Sequence, residues 1–264
     1  MAGFFGLFNY DKEGPGVEKN APEKIGFIRF FELFFKNFWK LAINSVWYWL
    51  LTILVVPSGL AASGMTNITR NMAVDTHSFG TGDFFDTIKK NWKQALPAGL
   101  INLLIIGFLV FDIYFFWVYF QNELRTIGLV VCISILLMFL IMQYYIWIIL
   151  VTFKLSLKDI YANSFKLSIL GLKSNIIILL GLAGIYALCY GLGIVGVGLT
   201  QFIFFLIVIF VLPAYRFLLI QFNVFPVIKK YMIEPYYENH PDDDIELRRR
   251  LGVLKDEYSE EDLI

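Results

Sequence analysis

Five long apolar runs dominate the hydrophobic pattern of the chain, and each predicts a membrane-spanning helix. They are Trp39–Val56, Ala95–Phe120, Ile127–Phe153, Asn175–Leu192 and Gln201–Val224. A bilayer core about 30 Å thick needs about 17 to 25 predominantly apolar residues of helix, and all five runs meet that length. The pattern therefore predicts an all-α, multi-pass transmembrane bundle with five strong spans.

The placement of lysine and arginine predicts which ends of these spans face the cytoplasm. Basic residues stand before the first and second spans, after the third and after the fifth. The short links Gln121–Thr126 and Gly193–Thr200 carry only Arg125 between them. Because positive residues stay on the cytoplasmic side, spans one and two both begin there, and the chain must return between them. Both termini are predicted to be cytoplasmic.

The only segment available for that return is residues 58–74, which is too polar to face lipid. It carries small or polar residues at helical spacing along two neighbouring lines: Gly59, Ser63 and Asn67, then Ala62, Thr66 and Arg70. Small residues at this spacing let helices approach closely, and polar backbone at membrane depth is tolerated when protein surrounds it. The segment is predicted to be a sixth, interior crossing or a re-entrant half-helix. The alternative is that one strong span is a surface hairpin.

Two amphipathic stretches, Asp83–Gln94 and Asp159–Ile169, predict helices that lie along the cytoplasmic face. With the spans, they define three parts of the chain. These are a cytoplasmic N-terminal segment over 1–37, a transmembrane helical domain over 38–231 and an acidic cytoplasmic tail over 232–264.

Composition agrees with a membrane protein and excludes several other classes. Of the 264 residues, 58% are hydrophobic and 17% charged, against about 25% charged in an average soluble domain. This excludes a soluble enzyme, a nucleic-acid binder and a disordered scaffold. From Glu234 onward there are 11 acids and four bases, although the net charge of the whole chain is zero. A basic body suggests contact with anionic membrane lipid, and an acidic tail suggests a protein partner.

The chain contains no convincing catalytic or cofactor motif. Gly191, Gly193 and Gly196 match the spacing G-x-G-x-x-G, but no strand precedes them, so we expect a tight outer turn instead. His77 and His240 stand far apart and lack a second ligand at metal-binding spacing. The sequence therefore predicts no cofactor, no metal and no enzymatic activity.

Two charged residues inside predicted spans are the best candidates for a functional site. Asp112 interrupts the second span and Arg216 the fifth. Ionisable groups at membrane depth are costly and usually face the bundle interior or a cavity. The positions of the two residues along their helices allow them to meet. The functional interpretation is a polar pathway or substrate site, and the alternative is an interhelical ion pair, or separate snorkelling of the two side chains, that fixes packing.

Several motifs resemble the YesL-like family of bacterial integral membrane proteins. They are Phe8–Val17, Phe30–Leu41, Arg70-Asn71, Asp83-Phe84-Phe85 and Lys89–Gln94. The similarity runs over residues 7 to 230. A Gly-Pro-Ala element that the family usually has near the polar segment stands here as Pro57-Ser58-Gly59-Leu60-Ala61.

The resemblance implies a multi-pass protein of the bacterial cytoplasmic membrane with no assigned activity. Family members tend to be encoded beside carbohydrate ABC importers, which implies a non-enzymatic accessory or assembly subunit with importer permeases as partners. The expected partner contacts are Phe8, Asn9, Tyr10, Asp11, Gly14, Pro15 and Gly16.

The alternative hypothesis is a small solute transporter or channel that uses Asp112, Arg70 and Arg216 around the polar segment. A third hypothesis, a membrane enzyme acting on lipid or lipid-linked sugar, lacks a recognisable nucleophile, base or metal cluster.

Overall fold

The computed structural model describes residues 26–74, 76, 80–195 and 198–239, and this part of the chain is helical with no strand. The α-helices are α1 (Gly26–Lys36), α2 (Phe38–Ile53), α3 (Ser58–Ala73), α4 (Thr81–Tyr119), α5 (Asn122–Thr152), α6 (Leu157–Leu170), α7 (Leu172–Val195), α8 (Leu199–Leu206), α9 (Leu212–Ile228) and α10 (Glu234–Asn239). Two five-residue π-helical segments, Ile207–Val211 and Lys229–Ile233, join the last three helices into one rod. The expected all-α architecture is confirmed.

Four helices in the described ranges are long and apolar enough to cross a membrane. They are Thr81–Tyr119, Asn122–Thr152, Leu172–Ile194 and the composite rod Leu199–Tyr237. The last four predicted spans coincide with them, two of the spans ending one residue past the helix. The helix of the first, α2, has 16 residues and is about 24 Å long, short of a core about 30 Å thick. Four of the five predicted strong spans therefore have a helix of spanning length, and the number of crossings stays a prediction.

A tight turn ends α2 and sends the chain straight back into α3. Val55 adopts a φ of 62°, a left-handed conformation that is strained for a β-branched residue. Pro57 then stands at the N-cap of α3, and the Ser58 amide donates to the Val55 carbonyl over 3.1 Å. The two helices therefore form a hairpin of equal arms, which we call the α2–α3 hairpin.

The more polar arm of this hairpin occupies the centre of the bundle. Helix α3 packs against α2, α4, α5 and α9, and most of its residues are buried. Its small residues make this possible: a Cβ added to Gly59 would lie 2.8 Å from the Cα of Gly99 on α4. A Cβ added to Gly64 would lie 2.6 Å from the ring of Phe84. The prediction that residues 58–74 form an interior helix with a small-residue face is confirmed.

Helix α4 begins beside the start of α2, so the α2–α3 hairpin returns the chain to the end of the bundle at which α2 begins. A Cβ added to Gly80, just before α4, would lie 3.8 Å from the Lys40 side chain near the start of α2. The predicted helix over 83–94 is the first part of α4 and continues without a break into the apolar part. By contrast, α6 is a separate helix, as expected from the amphipathic stretch Asp159–Ile169. The Ser156 side chain caps its N-terminus by accepting a hydrogen bond from the Asp159 backbone amide.

Helix α1 packs against α9 and belongs to the bundle, although it lies within the predicted cytoplasmic segment 1–37. The ring of Phe30 lies edge-on to Tyr215 at 5.5 Å and to Phe222 at 5.9 Å between centroids. Residue Asn37 separates α1 from α2, next to the expected boundary between the two parts of the chain.

Candidate functional site

A cavity of about 130 Å³ lies where the tip of the α2–α3 hairpin meets α4, α5 and α9. We call it the hairpin cavity. Amides and a guanidinium in its lining come from Asn102 on α4, Gln143 on α5, and Arg216 and Gln221 on α9. Hydroxyl-bearing residues in the lining are Ser58 and Thr66 on α3, Tyr48 on α2 and Tyr144 on α5. Most of the remaining lining is apolar, so these polar side chains largely determine what the cavity can bind.

Three residues of the lining each carry a buried polar atom that has no hydrogen-bond partner among the described residues: Thr66 Oγ1, Gln143 Nε2 and Gln221 Oε1. Thr66 is 0% exposed and Gln221 is 1% exposed. Most buried polar atoms in proteins have a partner, and leaving one without costs about 1–3 kcal/mol. Two further such atoms in the described part belong to Asn44 and Thr52 on α2, which do not line the cavity.

A chain of hydrogen bonds fixes the orientation of the Gln143 amide. Tyr161 on α6 donates to Asn102 Oδ1 over 2.7 Å, and Asn102 Nδ2 then donates to Gln143 Oε1 over 2.9 Å. The Gln143 amide nitrogen is therefore the end left without a partner. Burial raises the pKa of Tyr161 to about 12, so this hydroxyl remains a donor across the physiological pH range.

Of the described residues that line the cavity, Arg216 is the only one with a charged side chain. It is half-buried, and its guanidinium lies 5.7 Å from the ring centre of Phe217. No aspartate or glutamate of the described ranges lines the cavity with it. The cavity therefore combines one positive charge with neutral hydrogen-bonding groups.

The first π-helical segment lies just before Arg216 and is fixed by α2. In a π-helix the Val208 carbonyl would accept from the residue five positions on, which is Pro213 and has no N–H. Trp49 Nε1 donates to that carbonyl over 3.0 Å instead. Because Arg216 follows Pro213 by three residues, this bond ties the helix that carries the charge to the hairpin.

The structure does not bring Asp112 to Arg216 at the hairpin cavity. Arg216 lines the cavity with Asn102, whereas Asp112 stands ten residues further along α4, roughly 15 Å away along the helix. Helix rise counted from the flanking lysines allows the two residues to meet, but it does not contain the alignment of α4 with α9.

Arg70 also lies outside the cavity, near the C-terminal end of α3. Its guanidinium donates to Thr152 Oγ1 over 2.9 Å and to Asn67 Oδ1 over 2.8 Å. Asn67 Nδ2 in turn donates to Thr87 Oγ1 on α4 over 2.7 Å. Within the described ranges its hydrogen bonds go to neutral oxygens, and they tie α3 to α4 and α5. This geometry gives Arg70 a structural role.

Several other predicted features can now be placed. Gly191 and Gly193 lie inside α7, so the expected outer turn is made instead at Gly198, whose φ is 64°. Among the residues that the structure describes, no three His, Cys, Asp or Glu side chains group to hold a metal. The expected partner-contact residues over 8–16, both histidines and the acidic tail after residue 239 lie outside the described residues.

Sequence reasoning missed Gln143, Gln221 and Asn102, although a signal was present. Each is an amide inside an apolar run: Gln143 in Ile-Met-Gln-Tyr-Tyr, Asn102 in Leu-Ile-Asn-Leu-Leu, and Gln221 two residues before Asn223 in Leu-Ile-Gln-Phe-Asn. Neutral amides are less costly at membrane depth than charges, so they stand out less in the sequence. Thr66 did appear in one of the two helical lines of the polar segment.

Comparison with known proteins adds one match. Residues 41–113 match the model of a family described as "Protein of unknown function, DUF624". The match covers most of α2, all of α3 and most of α4, and is consistent with the resemblance to the YesL-like family. No curated protein and no solved structure matches the chain.

Proposed function

We propose that this chain is a non-enzymatic, multi-pass membrane protein that binds a small polar solute in the hairpin cavity. The observation that carries the proposal is that three residues on three different helices line one cavity, and each carries a buried polar atom without a hydrogen-bond partner among the described residues. A polar occupant would supply the partners that these side chains lack. Of the two leading hypotheses from the sequence, this geometry favours the small solute transporter or channel.

The position of the hairpin supports a cavity near the cytoplasmic end of the spans. Gly59, just after the hairpin tip, touches Gly99, and α4 continues from there to Tyr119. That remainder is about 30 Å long, as thick as the hydrocarbon core. We therefore propose that the hairpin is re-entrant: it enters from the cytoplasmic side and returns to that side without crossing the membrane. Both termini of a protein with four crossings and such a hairpin lie on one side, the cytoplasm by the positive-inside rule.

Solute binding can be tested on purified protein by thermal unfolding. Neutral polyols, hydroxy acids and inorganic phosphate, each at millimolar concentration, form a suitable panel. At least one class should raise the unfolding midpoint of the wild type, since a ligand that binds only the folded state stabilises it. The same solute should not stabilise Gln221→Leu, which fills a similar volume without the unpartnered oxygen. If no solute shifts the wild type, or if both proteins shift equally, the proposal is wrong.

The accessory role in carbohydrate import is kept as a second proposal, and its support is the family likeness alone. The match over 41–113 contains the Arg70-Asn71 and Lys89–Gln94 motifs that carry part of that likeness. Co-purification from native membranes in mild detergent tests it. The proposal expects importer permeases among the recovered proteins, and their repeated absence would contradict it.

A further inference from the structure

We propose that the hairpin cavity selects a small hydroxylated anion, held at its acidic group by Arg216 and at its hydroxyl groups by the neutral amides. This inference rests on the proposed function and names the chemical class of the solute. The class of anion is a carboxylate or phosphate, because both present oxygen acceptors to a guanidinium.

The charge balance of the cavity is the first step. Arg216 supplies a positive charge, and within the described part of the chain no acidic side chain lines the cavity to neutralise it. Arg216 stacks only loosely on Phe217, at 5.7 Å, and makes no ion pair with Asp112. Charges in a site partly shielded from water are stabilised by a partner of opposite sign. An anion provides that partner.

The polarity of the three unpartnered atoms is the second step. The Gln143 amide nitrogen is a donor. The hydrogen bonds from Tyr161 to Asn102 and from Asn102 to Gln143 Oε1 fix the amide in the orientation that leaves this nitrogen without a partner. It can donate to an anionic oxygen beside Arg216. The Gln221 Oε1 atom is an acceptor and needs a donor from the ligand. A bare anion has none, whereas a hydroxylated anion supplies an O–H to Gln221.

The size of the cavity is the third step. At about 130 Å³ it is smaller than the range of roughly 300–1,000 Å³ that is common for drug-sized ligands. The cavity has room for more than one water molecule, since one water needs about 10–15 Å³ of cavity volume on the same measure. A three-carbon hydroxy acid is therefore a reasonable probe, and we choose glycerate.

Equilibrium binding of three matched solutes tests the inference on the full-length protein in nanodiscs of phosphatidylcholine. Glycerate carries the charge, glyceramide has the same shape without it, and glycerol lacks the acyl group. Glycerate should bind at least tenfold more tightly than glyceramide. Arg216→Gln should weaken glycerate binding roughly 10- to 100-fold, as expected for a charged hydrogen bond, and leave glyceramide binding nearly unchanged.

Two further variants keep the test interpretable. Arg216→Lys retains the charge and should recover part of the glycerate affinity. Arg125→Gln removes a positive charge that stacks on Trp117 at 3.8 Å, away from the cavity, and should change no affinity. Equal binding of glycerate and glyceramide would overturn the inference but leave the proposed function standing. Failure of all three solutes to bind, combined with no stabilisation across the wider panel, would remove both.

A lipid headgroup offers the same chemistry, since phosphatidylglycerol carries a phosphate and two hydroxyl groups. Adding it to the nanodiscs distinguishes the sources. If it competes with glycerate in the wild type but not in Arg216→Gln, the anion in the cavity comes from the lipid. If glycerate affinity is unchanged, the anion is a free solute. Both results support recognition of a hydroxylated anion by Arg216.

Discussion

At the residue scale, a comparison of Thr66 with Thr69 distinguishes a hydroxyl available to a solute from one that only stabilises the helix. Thr66 and Thr69 lie on the same helix and are both 0% exposed. Thr69 Oγ1 donates to the Met65 carbonyl over 2.7 Å, whereas Thr66 lines the cavity and its Oγ1 has no hydrogen-bond partner among the described residues. The two residues therefore form a natural pair for comparison.

Replacing Thr66 by valine should not destabilise the solute-free protein. The change removes a buried hydroxyl without a partner, so the free energy of unfolding should stay constant or rise by up to about 1 kcal/mol. Thr69→Val removes a satisfied hydroxyl and should cost about 0.5–1.5 kcal/mol. Thermal unfolding in detergent measures both. An equal loss in the two variants would mean that the Thr66 hydroxyl is satisfied.

The Tyr161 hydroxyl should contribute to stability in a pH-dependent way. Its pKa is raised by burial from an ordinary value of 10 to about 12. Since the folded protein holds this proton more tightly than the unfolded chain, the contribution is complete below about pH 10 and is lost as pH rises to 12. Tyr161→Phe should cost about 1 kcal/mol below pH 10.

The measurement is the difference in unfolding midpoint between wild type and Tyr161→Phe at a series of pH values. The difference should be constant between pH 7 and 9 and shrink above pH 10. A difference that grows above pH 10 would contradict the assigned direction of the pKa shift.

At the element scale, the contact between α3 and α4 depends on two glycines that touch directly. A Cβ on Gly59 would meet backbone atoms of both Ala95 and Gly99, which cannot move aside as a flexible side chain can. Gly59→Ala should therefore lower the free energy of unfolding by about 1–3 kcal/mol or more. Gly107→Ala, on α4 with no neighbour within 4 Å, is the control and should be neutral or slightly stabilising. Equal unfolding midpoints for both variants would refute the close approach.

The π-helical segment before Arg216 gives a second prediction at this scale. Trp49→Phe removes the indole donor to the Val208 carbonyl, which cannot accept from Pro213. We expect a loss of about 1 kcal/mol in the free energy of unfolding, since a part-buried hydrogen bond between α2 and the π-helical segment is lost. Trp92→Phe, at a side chain that is 50% exposed, should have little effect and serves as control. A similar loss in both would assign the effect to aromatic packing.

At the scale of the whole molecule, the sequence predicted the bundle and its polar interior helix but not the length of the first arm. Hydropathy found the four long helices because each presents an apolar surface for its full length. It could not locate the end of α2, since the turn at Val55 lies inside the apolar run and its left-handed backbone leaves no mark in hydropathy. The cavity was missed because glutamine and threonine become a site only where helices distant in sequence converge.

Topology can be tested at the same scale with single cysteines in a background where Cys132 and Cys189 are replaced by alanine. A membrane-impermeant maleimide should label cysteines at Lys36 and Lys90 only from the cytoplasmic side, and one at Arg125 only from outside. Labelling of Lys36 and Lys90 from opposite sides would contradict the re-entrant hairpin.

The most direct measurement is a high-resolution experimental map of the protein in lipid nanodiscs with millimolar glycerate. We predict ordered density between Arg216 and Gln221 that contacts Thr66 and the Gln143 amide nitrogen and has the shape of a three-carbon anion. A cavity that contains water alone, or one in which Thr66, Gln143 and Gln221 have rearranged to bond one another, would contradict solute binding at this site.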